Sequence, residues 1–236
     1  MRITLLFSII PLLLLSEEKR QVISGNFDLG LNFIKNIENT LQFNNVFHIK
    51  YKVNNFYWIT ASNNMNLISQ TGENDLINNG YQDLKYSLVD KGWDLGINIE
   101  HFYDVSKNIK NRYSTALGLS YDFSKRKNEK LAFGLSFQKE KELTVDEEST
   151  LQNRLNTHLN IVKKIAKNIE INLSNGYFPN FEEFGDFRWK SILVLKIKLN
   201  TKFSLIMNSM FNYDSLPEKG IPETDYQLTN SISYSL

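Results

Sequence analysis

The last stretch of the chain alternates between two chemical classes of side chain. In 225–236, DYQLTNSISYSL, the even positions are mostly apolar or aromatic, whereas the odd positions are small or polar. Successive side chains of a β-strand point to opposite faces, so the pattern predicts a strand between an apolar and a polar environment. The even positions that carry this signal are Tyr226, Leu228, Ile232, Tyr234 and Leu236.

The same alternation recurs along the chain from Gly25 onward, on odd positions except at 84–88 and in the last strand. It predicts about twelve strands of roughly 9–13 residues, which is the length that a tilted strand needs to cross a bilayer. We therefore predict an all-β fold for 25–236, a transmembrane antiparallel up-and-down β-barrel. Its lipid-facing residues would include Leu119, Phe133 and Leu195.

The N-terminus carries the longest apolar run, residues 3–15, between Arg2 and a charged segment at 17–20. At roughly a dozen residues the run is too short for a spanning helix, which needs about 20 residues. A basic start, a short apolar core and a polar boundary are typical of a secretory signal peptide. We assign 1–16 to it, with cleavage anywhere from 16 to 24; the alternative is a buried N-terminal helix.

The segments between the predicted strands fall into two classes by length. Short links, at 53–56, 90–92, 164–168 and 199–201, alternate with longer and net acidic ones, and only 124–130 is long for its class. Bacterial outer-membrane barrels have short turns on the periplasmic side and longer loops outside. An even strand count would place both termini on the short-turn side. The longer set comprises 35–40, 69–80, 104–111, 142–150, 178–186 and 214–224.

Composition excludes several classes of function. A formal net charge of +1 argues against nucleic acid as a partner. The absence of cysteine removes disulfides, thiolate metal sites and a lipid-anchor cysteine. Neither a phosphate-binding glycine loop nor a spaced calcium-ligand motif is present, so we expect no cofactor and no metal.

The positions that would face the lumen are polar, often small, and basic on two strands. The inward residues with charge or a titratable ring include Arg154, His158, Arg188, Lys190 and Lys196, with Glu170 on the strand between. The interpretation that we favour is an internal salt-bridge network that fills the lumen. If these charges are instead unpaired, they are costly to bury, and the set predicts a hydrated lumen with weak anion preference.

Several segments together resemble a known family. They are 112–124 (RYSTALGLSYDFS), 131–143 (LAFGLSFQKEKEL), 176–180 (GYFPN) before Asp186 and Arg188, and 213–217 (YDSLP) before Asp225. This pattern resembles the outer-membrane family called domain of unknown function 481, which includes proteins named salt-induced outer membrane proteins. The resemblance implies a barrel in the outer membrane and brings no catalytic residue. The chain departs from such barrels at Leu236, where Phe or Tyr is usual, which leaves the insertion signal to Tyr234 and the alternation.

Three functions remain open at this point. The leading one is a non-enzymatic barrel, either a narrow solute pore or a stress-related envelope protein. The second is a structural accessory subunit of another outer-membrane protein, with the outward amides Asn45, Asn63, Asn153 and Asn230 as the contact. The third is a membrane-embedded lipid hydrolase, for which His101 is the candidate outward base, because His48 and His158 face inward.

The partners that this interpretation implies are those of any outer-membrane barrel. We expect contact with outer-membrane lipids and lipopolysaccharide, and with the barrel-assembly machinery during insertion. An accessory subunit would add another outer-membrane protein.

Overall fold

The computed structural model describes residues 22–35, 39–53, 56–70, 77–124, 126 and 128–235. The predicted signal peptide, residues 1–16, and the terminal Leu236 lie outside the described residues. Within that part of the chain the secondary structure is almost all strand, with one short 3-10 helix, and no helix there is long and apolar enough to cross a membrane.

The twelve strands run in chain order around the molecule. They are β1 (Val22–Lys35), β2 (Asn39–Lys52), β3 (Tyr57–Gln70), β4 (Ile77–Asp90), β5 (Trp93–Asp104), β6 (Ile109–Asp122), β7 (Glu129–Thr144), β8 (Ser149–Lys164), β9 (Ile169–Pro179), β10 (Phe187–Lys198), β11 (Phe203–Asp214) and β12 (Thr224–Ser235). The 3-10 helix, Val105–Lys107, lies between β5 and β6.

Each strand pairs antiparallel with its neighbours in the sequence, and β1 pairs with β12, so the sheet closes on itself. The closing pair joins 26–29 to 232–235. A closed sheet is the strand arrangement that suits a membrane, where water cannot satisfy the backbone groups. The prediction of an all-β, antiparallel up-and-down barrel of the transmembrane kind, with twelve strands, is confirmed.

The apolar side chains lie on the outside of this barrel. Leu119 is 45% exposed and Phe133 49%, and the large hydrophobic side chains with similar exposure come from nearly every strand. Among the described residues, the buried hydrophobic ones are only Ile109, Ala116, Ala132 and Ile206. A barrel with its apolar surface outward and its polar surface inward is built for a hydrocarbon surrounding.

The outward parity changes on both sides of β4, and the second change has a local cause in the turn that follows this strand. Lys91 and Gly92 form a two-residue connection with φ of 46° and 89°. Positive φ at both central residues is the geometry of a tight hairpin turn, and glycine adopts it without steric cost. Asp90 therefore pairs with Trp93, which brings the even-numbered Leu88 opposite the odd-numbered Leu95 on the outer face.

The two ends of the barrel can be told apart by the chain termini. The short-turn end carries the start of β1 and the end of β12, and the long-loop end carries the connections 180–186 and 215–223. The difference in length is smaller than the sequence indicated: the predicted loops 104–111 and 142–150 shrink to 105–108 and 145–148, and β3 and β4 extend into the predicted loop 69–80. Apolar alternation stops where the membrane would stop, but the hydrogen-bonded ladder continues beyond it into polar residues.

Aromatic side chains meet at both ends of the strands. At the short-turn end Tyr121 contacts Trp93 and Phe123, with ring centroids 4.7 and 4.8 Å apart. At the long-loop end Phe187 lies between Tyr177 and Tyr213, at 5.4 and 5.6 Å. Such paired girdles are typical of a barrel whose two rims lie at membrane–water interfaces.

Neighbouring residues on β11 provide a test of the two faces. Met207 is exposed in the middle of the outer surface, whereas Asn208 lies on the lumen side. A charge on the lipid face near the bilayer midplane costs roughly 2–4 kcal/mol. We expect Met207→Arg to lower the free energy of unfolding in lipid vesicles by about that amount, and Asn208→Arg to lower it much less. Equal losses in the two variants would contradict the assignment of faces.

Candidate functional site in the barrel lumen

The inward side chains surround a cavity of about 760 Å³ that we call the lumen cavity. Its walls come from all twelve strands and, at the long-loop end, from the connection 215–223. The lining reaches Lys196 and Ser233, which lie near the short-turn ends of β10 and β12. The cavity therefore follows the barrel axis over most of the length of these strands.

In the half of the barrel nearer the short-turn end, the lumen cavity does not extend along β4 to β8. On these five strands the cavity lining is confined to the half nearer the long-loop end, and on β9 to β12 and β1 it continues toward the short-turn end. Inward side chains fill the remaining space. Lys50 lies over the Trp58 ring at 3.2 Å, and Lys85 makes a 2.7 Å salt bridge with Asp94.

Inward glycines make room for these filling side chains. A Cβ at Gly96 would come within 2.6 Å of Lys85 Cε, and one at Gly134 would collide with the His158 ring. His158 thus packs against the wall of β7 and is absent from the lining of the lumen cavity. Small residues on the inward face relieve crowding in a narrow barrel, as the sequence indicated.

Three arginines and two glutamates form the strongest ionic cluster of the barrel, which we call the arginine cluster: Arg112, Arg154, Arg188, Glu140 and Glu142. Glu140 Oε1 lies 2.7 Å from Arg188 Nη1, 3.6 Å from Arg112 Nε and 3.7 Å from Arg154 Nε. Glu142 Oε2 lies 2.5 Å from Arg112 Nη2 and 3.6 Å from Arg188 Nη2. One wall, from β6 to β10, is thereby cross-linked by charge.

Two further carboxylates fasten this cluster to the long loops. Arg154 Nη2 donates to both oxygens of Asp186, at 3.0 and 2.9 Å, and Arg188 Nε donates to Asp214 at 3.1 Å. Asp186 ends the connection 180–186, and Asp214 precedes 215–223. Ser215 Oγ accepts from the Phe187 N–H at 2.7 Å, so the two loops are joined as well.

The structure corrects the alternative expectation of an unpaired basic sector. Arg154 is 1% exposed and Glu140 4%, and they belong to a salt-bridge network, the interpretation that the sequence favoured. Sequence reasoning counted Glu170 as the nearest carboxylate. It missed the network because Asp186 and Asp214 were assigned to loop ends, and Glu142 to a loop, although each of these side chains turns inward.

The cavity lining as a whole is acidic. Six basic residues line it, namely Lys107, Arg112, Arg154, Arg188, Lys190 and Lys196. Twelve acidic residues do so, namely Asp28, Asp83, Glu100, Asp104, Glu140, Glu142, Glu170, Asp186, Asp214, Glu218, Glu223 and Asp225. The weak anion preference inferred from the inward arginines and lysines therefore lacks its premise.

Ion pairing leaves most of the remaining charge negative. Of the lining residues that the structure describes, six carboxylates and two ammonium groups make no ion pair within 4.0 Å. The ammonium groups are those of Lys190 and Lys196, and Glu170 stands opposite Lys196 in the strand register without a salt bridge. The carboxylates are those of Asp28, Asp83, Glu100, Glu170, Glu218 and Glu223.

Several polar side-chain atoms beside the lumen cavity have no hydrogen-bond partner among the described residues. Asn66, Asn172 and Asn208 line the cavity, and their buried side-chain oxygens have no hydrogen-bond partner in the protein. The Ser233 hydroxyl also lines the cavity and has no hydrogen-bond partner in the protein. Buried polar atoms are costly without a partner, and water in a polar cavity supplies one.

The other residues singled out from the sequence lie on the outer face. Leu195 is half-buried between its neighbours, and Tyr226, Leu228 and Ile232 on β12 are exposed. Tyr234 packs against Phe203, with ring centroids 5.4 Å apart. These positions agree with lipid contact, and their role as an insertion signal stays a prediction.

The hydrogen bonds of the three histidines do not form a catalytic triad with the described residues. His101 bonds to two amides, Gln82 Oε1 at 3.1 Å and Asn111 Oδ1 at 3.0 Å. Sequence reasoning missed a contact between His48 Nδ1 and Ser62 Oγ, 2.9 Å apart in the lumen. Ser62 also bonds to the carboxylate of Asp83. Within the described strands no carboxylate makes a hydrogen bond that orients the His48 ring, so this is a polar network without the geometry of a catalytic triad.

The described residues contain no candidate metal site. Across the described residues, no three histidine or carboxylate side chains are grouped in a way that could hold a metal ion. The acidic connections at the long-loop end do not bring their carboxylates together for this purpose.

A family model now decides where the chain belongs. The family described as a protein of unknown function, DUF481, matches residues 73–236, which is more than half of the chain. The chain is a member of the DUF481 family. The match begins before β4 and extends to the C-terminus, so it includes the whole arginine cluster. No curated protein matches this DUF481 chain in sequence.

Solved structures resemble this DUF481 barrel in fold. The COG4313 outer membrane channel from Pseudomonas putida F1 has a TM-score of 0.56 at 9% identity, with 93% of this chain and 97% of that chain covered. A NanC porin has a TM-score of 0.49 at 13% identity, covering 90% and 96%. A KdgM porin in complex with disordered oligogalacturonate has 0.49 at 10% identity, covering 90% and 99%. The likeness is one of fold: these neighbours are channels and porins, and none of the three is described as an enzyme.

The arginine cluster gives a stability prediction. Removing one partner of a buried ion pair leaves an uncompensated charge and costs about 3–5 kcal/mol. We expect Arg154→Ala to lower the free energy of unfolding in lipid vesicles by about this amount, because Asp186 and Glu140 are left buried without it. Arg126→Ala is the control. Its side chain is 78% exposed in a 3.6 Å pair with Glu129, so its loss should stay below about 1 kcal/mol. Equal effects would show that the cluster adds nothing.

Proposed function

We propose that this protein is a non-enzymatic outer-membrane pore for small polar solutes. The observation that carries the proposal is the lumen cavity, polar and continuous along one side of a barrel whose outer surface is apolar. Unpaired amide oxygens in its walls need water. A hydrated path inside a closed barrel is the physical requirement for passive diffusion of solutes.

The charge of the lining supports cations as the preferred ions. The arginines are neutralised by carboxylates that surround them, and among the other lining residues the unpaired carboxylates outnumber the unpaired ammonium groups of Lys190 and Lys196. Rings of acidic side chains raise the local concentration of cations and repel anions. We infer a weak preference for cations, the reverse of what the inward basic residues suggested.

Orientation and partners follow from the same proposal. The chain would enter the bacterial outer membrane through the barrel-assembly machinery, after removal of the N-terminal segment, and contact lipids and lipopolysaccharide with its outer surface. Its long-loop end would face the outside and its termini the periplasm, as is usual for such barrels.

A structural accessory subunit is the second candidate. One observation bears on it: Asn63 Nδ2 donates to Asn45 Oδ1 at 3.3 Å on the outer face, so these amides partly satisfy each other in the lipid region. A protein partner would supply the remaining hydrogen bonds. A barrel that inserts but shows no conductance would favour this function. The lipid hydrolase has less support, since His101 bonds to amides.

Conductance in a planar bilayer tests the pore directly. We expect the purified protein to conduct, and its reversal potential in a KCl gradient to have the sign of a cation-preferring pore. Glu170 lines the cavity and has no ion pair among the described residues, so Glu170→Lys should shift that potential toward anions. The matched control is Glu129→Lys, outside the lining, which should leave it unchanged. An anion-preferring wild type would overturn the charge argument.

Sidedness is tested by epitope tags on intact cells. A tag in 145–148 at the long-loop end should bind antibody without permeabilisation. A tag in the 91–92 turn at the short-turn end should bind only after the outer membrane is opened. Antibody binding to the 91–92 tag on intact cells would invert the proposed orientation.

A further inference from the structure

A lysine from one wall of the barrel approaches a side chain from the opposite wall. Lys190 is on β10, and its ammonium lies 5.6 Å from the ring centroid of Tyr81 on β4. In the closed order of twelve strands, β4 and β10 are six strands apart in either direction. They are therefore diametrically opposed, and the Lys190 and Tyr81 side chains approach each other across the lumen.

A second lysine extends into the lumen along another line. Lys107 lies in the 3-10 helix between β5 and β6, and its ammonium is 2.7 Å from Asp225 Oδ2 on β12. Counted around the barrel, β12 is five strands from β5 and six from β6. Asn212 Nδ2 donates to the same carboxylate oxygen at 3.2 Å, and Asp104 lies 3.7 Å from the ammonium.

Both lysines lie near the long-loop end. Lys190 is close to the start of β10 and Tyr81 to the start of β4, while Asp225 is the second residue of β12. All of them line the lumen cavity. Two side chains that extend into one end of a lumen along different lines divide its cross-section, so both lysines reduce the opening at the long-loop mouth.

Each lysine ammonium occupies a position with the chemistry of a cation site. Asp225 and Asp104 surround that of Lys107. The face of the Tyr81 ring attracts that of Lys190, and Glu100, which is hydrogen-bonded to Tyr81, adds a negative charge that acts on it. Asp83 stands opposite Glu100 in the strand register, so two carboxylates share that wall.

A cation from solution can replace a lysine ammonium in these contacts more readily than it can replace an arginine of the arginine cluster. Arg188 bonds through a planar fork to Glu140 and Asp214, both held by other elements. Lys107 and Lys190 are single charges on flexible stems, and the Lys107–Asp225 pair is about one quarter exposed on each side. The lumen cavity reaches both groups of the pair, so another cation can compete with the Lys107 ammonium for Asp225.

We propose that Lys107 and Lys190 are tethered cations that narrow the long-loop mouth, and that solutes carrying an ammonium group enter by taking their places on Asp225 and on Tyr81 with Glu100. The inference rests on the proposed pore and names its solute class, small organic ammonium compounds. Neutral solutes of the same size make no favourable electrostatic contact at these positions, so nothing offsets the steric barrier of the narrowed mouth.

The first experiment removes the tethers. Single-channel conductance in KCl is measured for wild type, Lys107→Ala, Lys190→Ala and the double variant. Because each side chain extends into the opening, each single variant should conduct at least about twofold more than wild type, and the double variant more again. Lys196→Ala is the matched control, since Lys196 lines the cavity on the same strand and makes no ion pair or ring contact with any described residue. It should change conductance little.

A charge-free variant separates steric from electrostatic effects. Lys190→Met keeps most of the length of the side chain and removes the ammonium, so it should give a conductance between those of wild type and Lys190→Ala. It also keeps the test valid if the alanine variant folds poorly. Folding of every variant is checked by the shift in gel mobility of the intact barrel on heating.

The second experiment tests the solute class. Propylammonium added on the long-loop side should reduce the KCl current through wild type at concentrations where propanol has no effect, because the ion dwells at the lysine positions. Asp225→Asn and Tyr81→Ala should each weaken this block. If wild type conducts but the lysine variants match it, or propylammonium acts like propanol, the inference is wrong and the pore stands. If neither wild type nor any variant conducts, both proposals fail.

Discussion

The closed ladder of backbone hydrogen bonds is the constraint on which the rest of the structure depends. In hydrocarbon an unpaired backbone N–H or C=O has no water with which to form a hydrogen bond, so strands can span a membrane only if the sheet closes. Here closure is completed by the shortest pairing of the barrel, four residue pairs from Asn26–Ser235 to Leu29–Ile232. Once the sheet is closed, every residue faces either lipid or lumen, and the alternation of the sequence becomes a separation of two solvents.

Inside the barrel, charge takes the place that apolar packing has in a soluble domain. Glu140 contacts arginines from β6, β8 and β10, and through Asp186 and Asp214 the same arginines hold the connections 180–186 and 215–223. Such a network costs desolvation energy, and it is stable because nearly every partner is satisfied. Its effect is to fix one wall and the long loops while it neutralises the positive charge that the wall carries.

The charged side chains outside the arginine cluster determine the sign of the electrostatic potential in the lumen. The unpaired residues are mainly carboxylates, and the two lysines at the mouth are held at carboxylates and at a tyrosine ring. The cross-linked wall and the long-loop mouth are thus built from different cations: planar arginine forks in the wall, and lysines on flexible stems at the mouth. This division relates the stability of the barrel to its proposed transport of ammonium compounds.

The sequence by itself determined the fold and the faces. A two-residue period repeated over twelve strands has one solution in a membrane, and Leu119, Phe133 and Met207 lie outside as the pattern requires. Only the tertiary structure decided the charge of the lumen. Arg154 meets Asp186, 32 residues away, and Lys190 approaches Tyr81 on the opposite wall. Period and parity state which face a side chain occupies, but pairing between distant strands depends on barrel closure, loop conformation and the reach of long side chains, none of which has a local signal in the sequence.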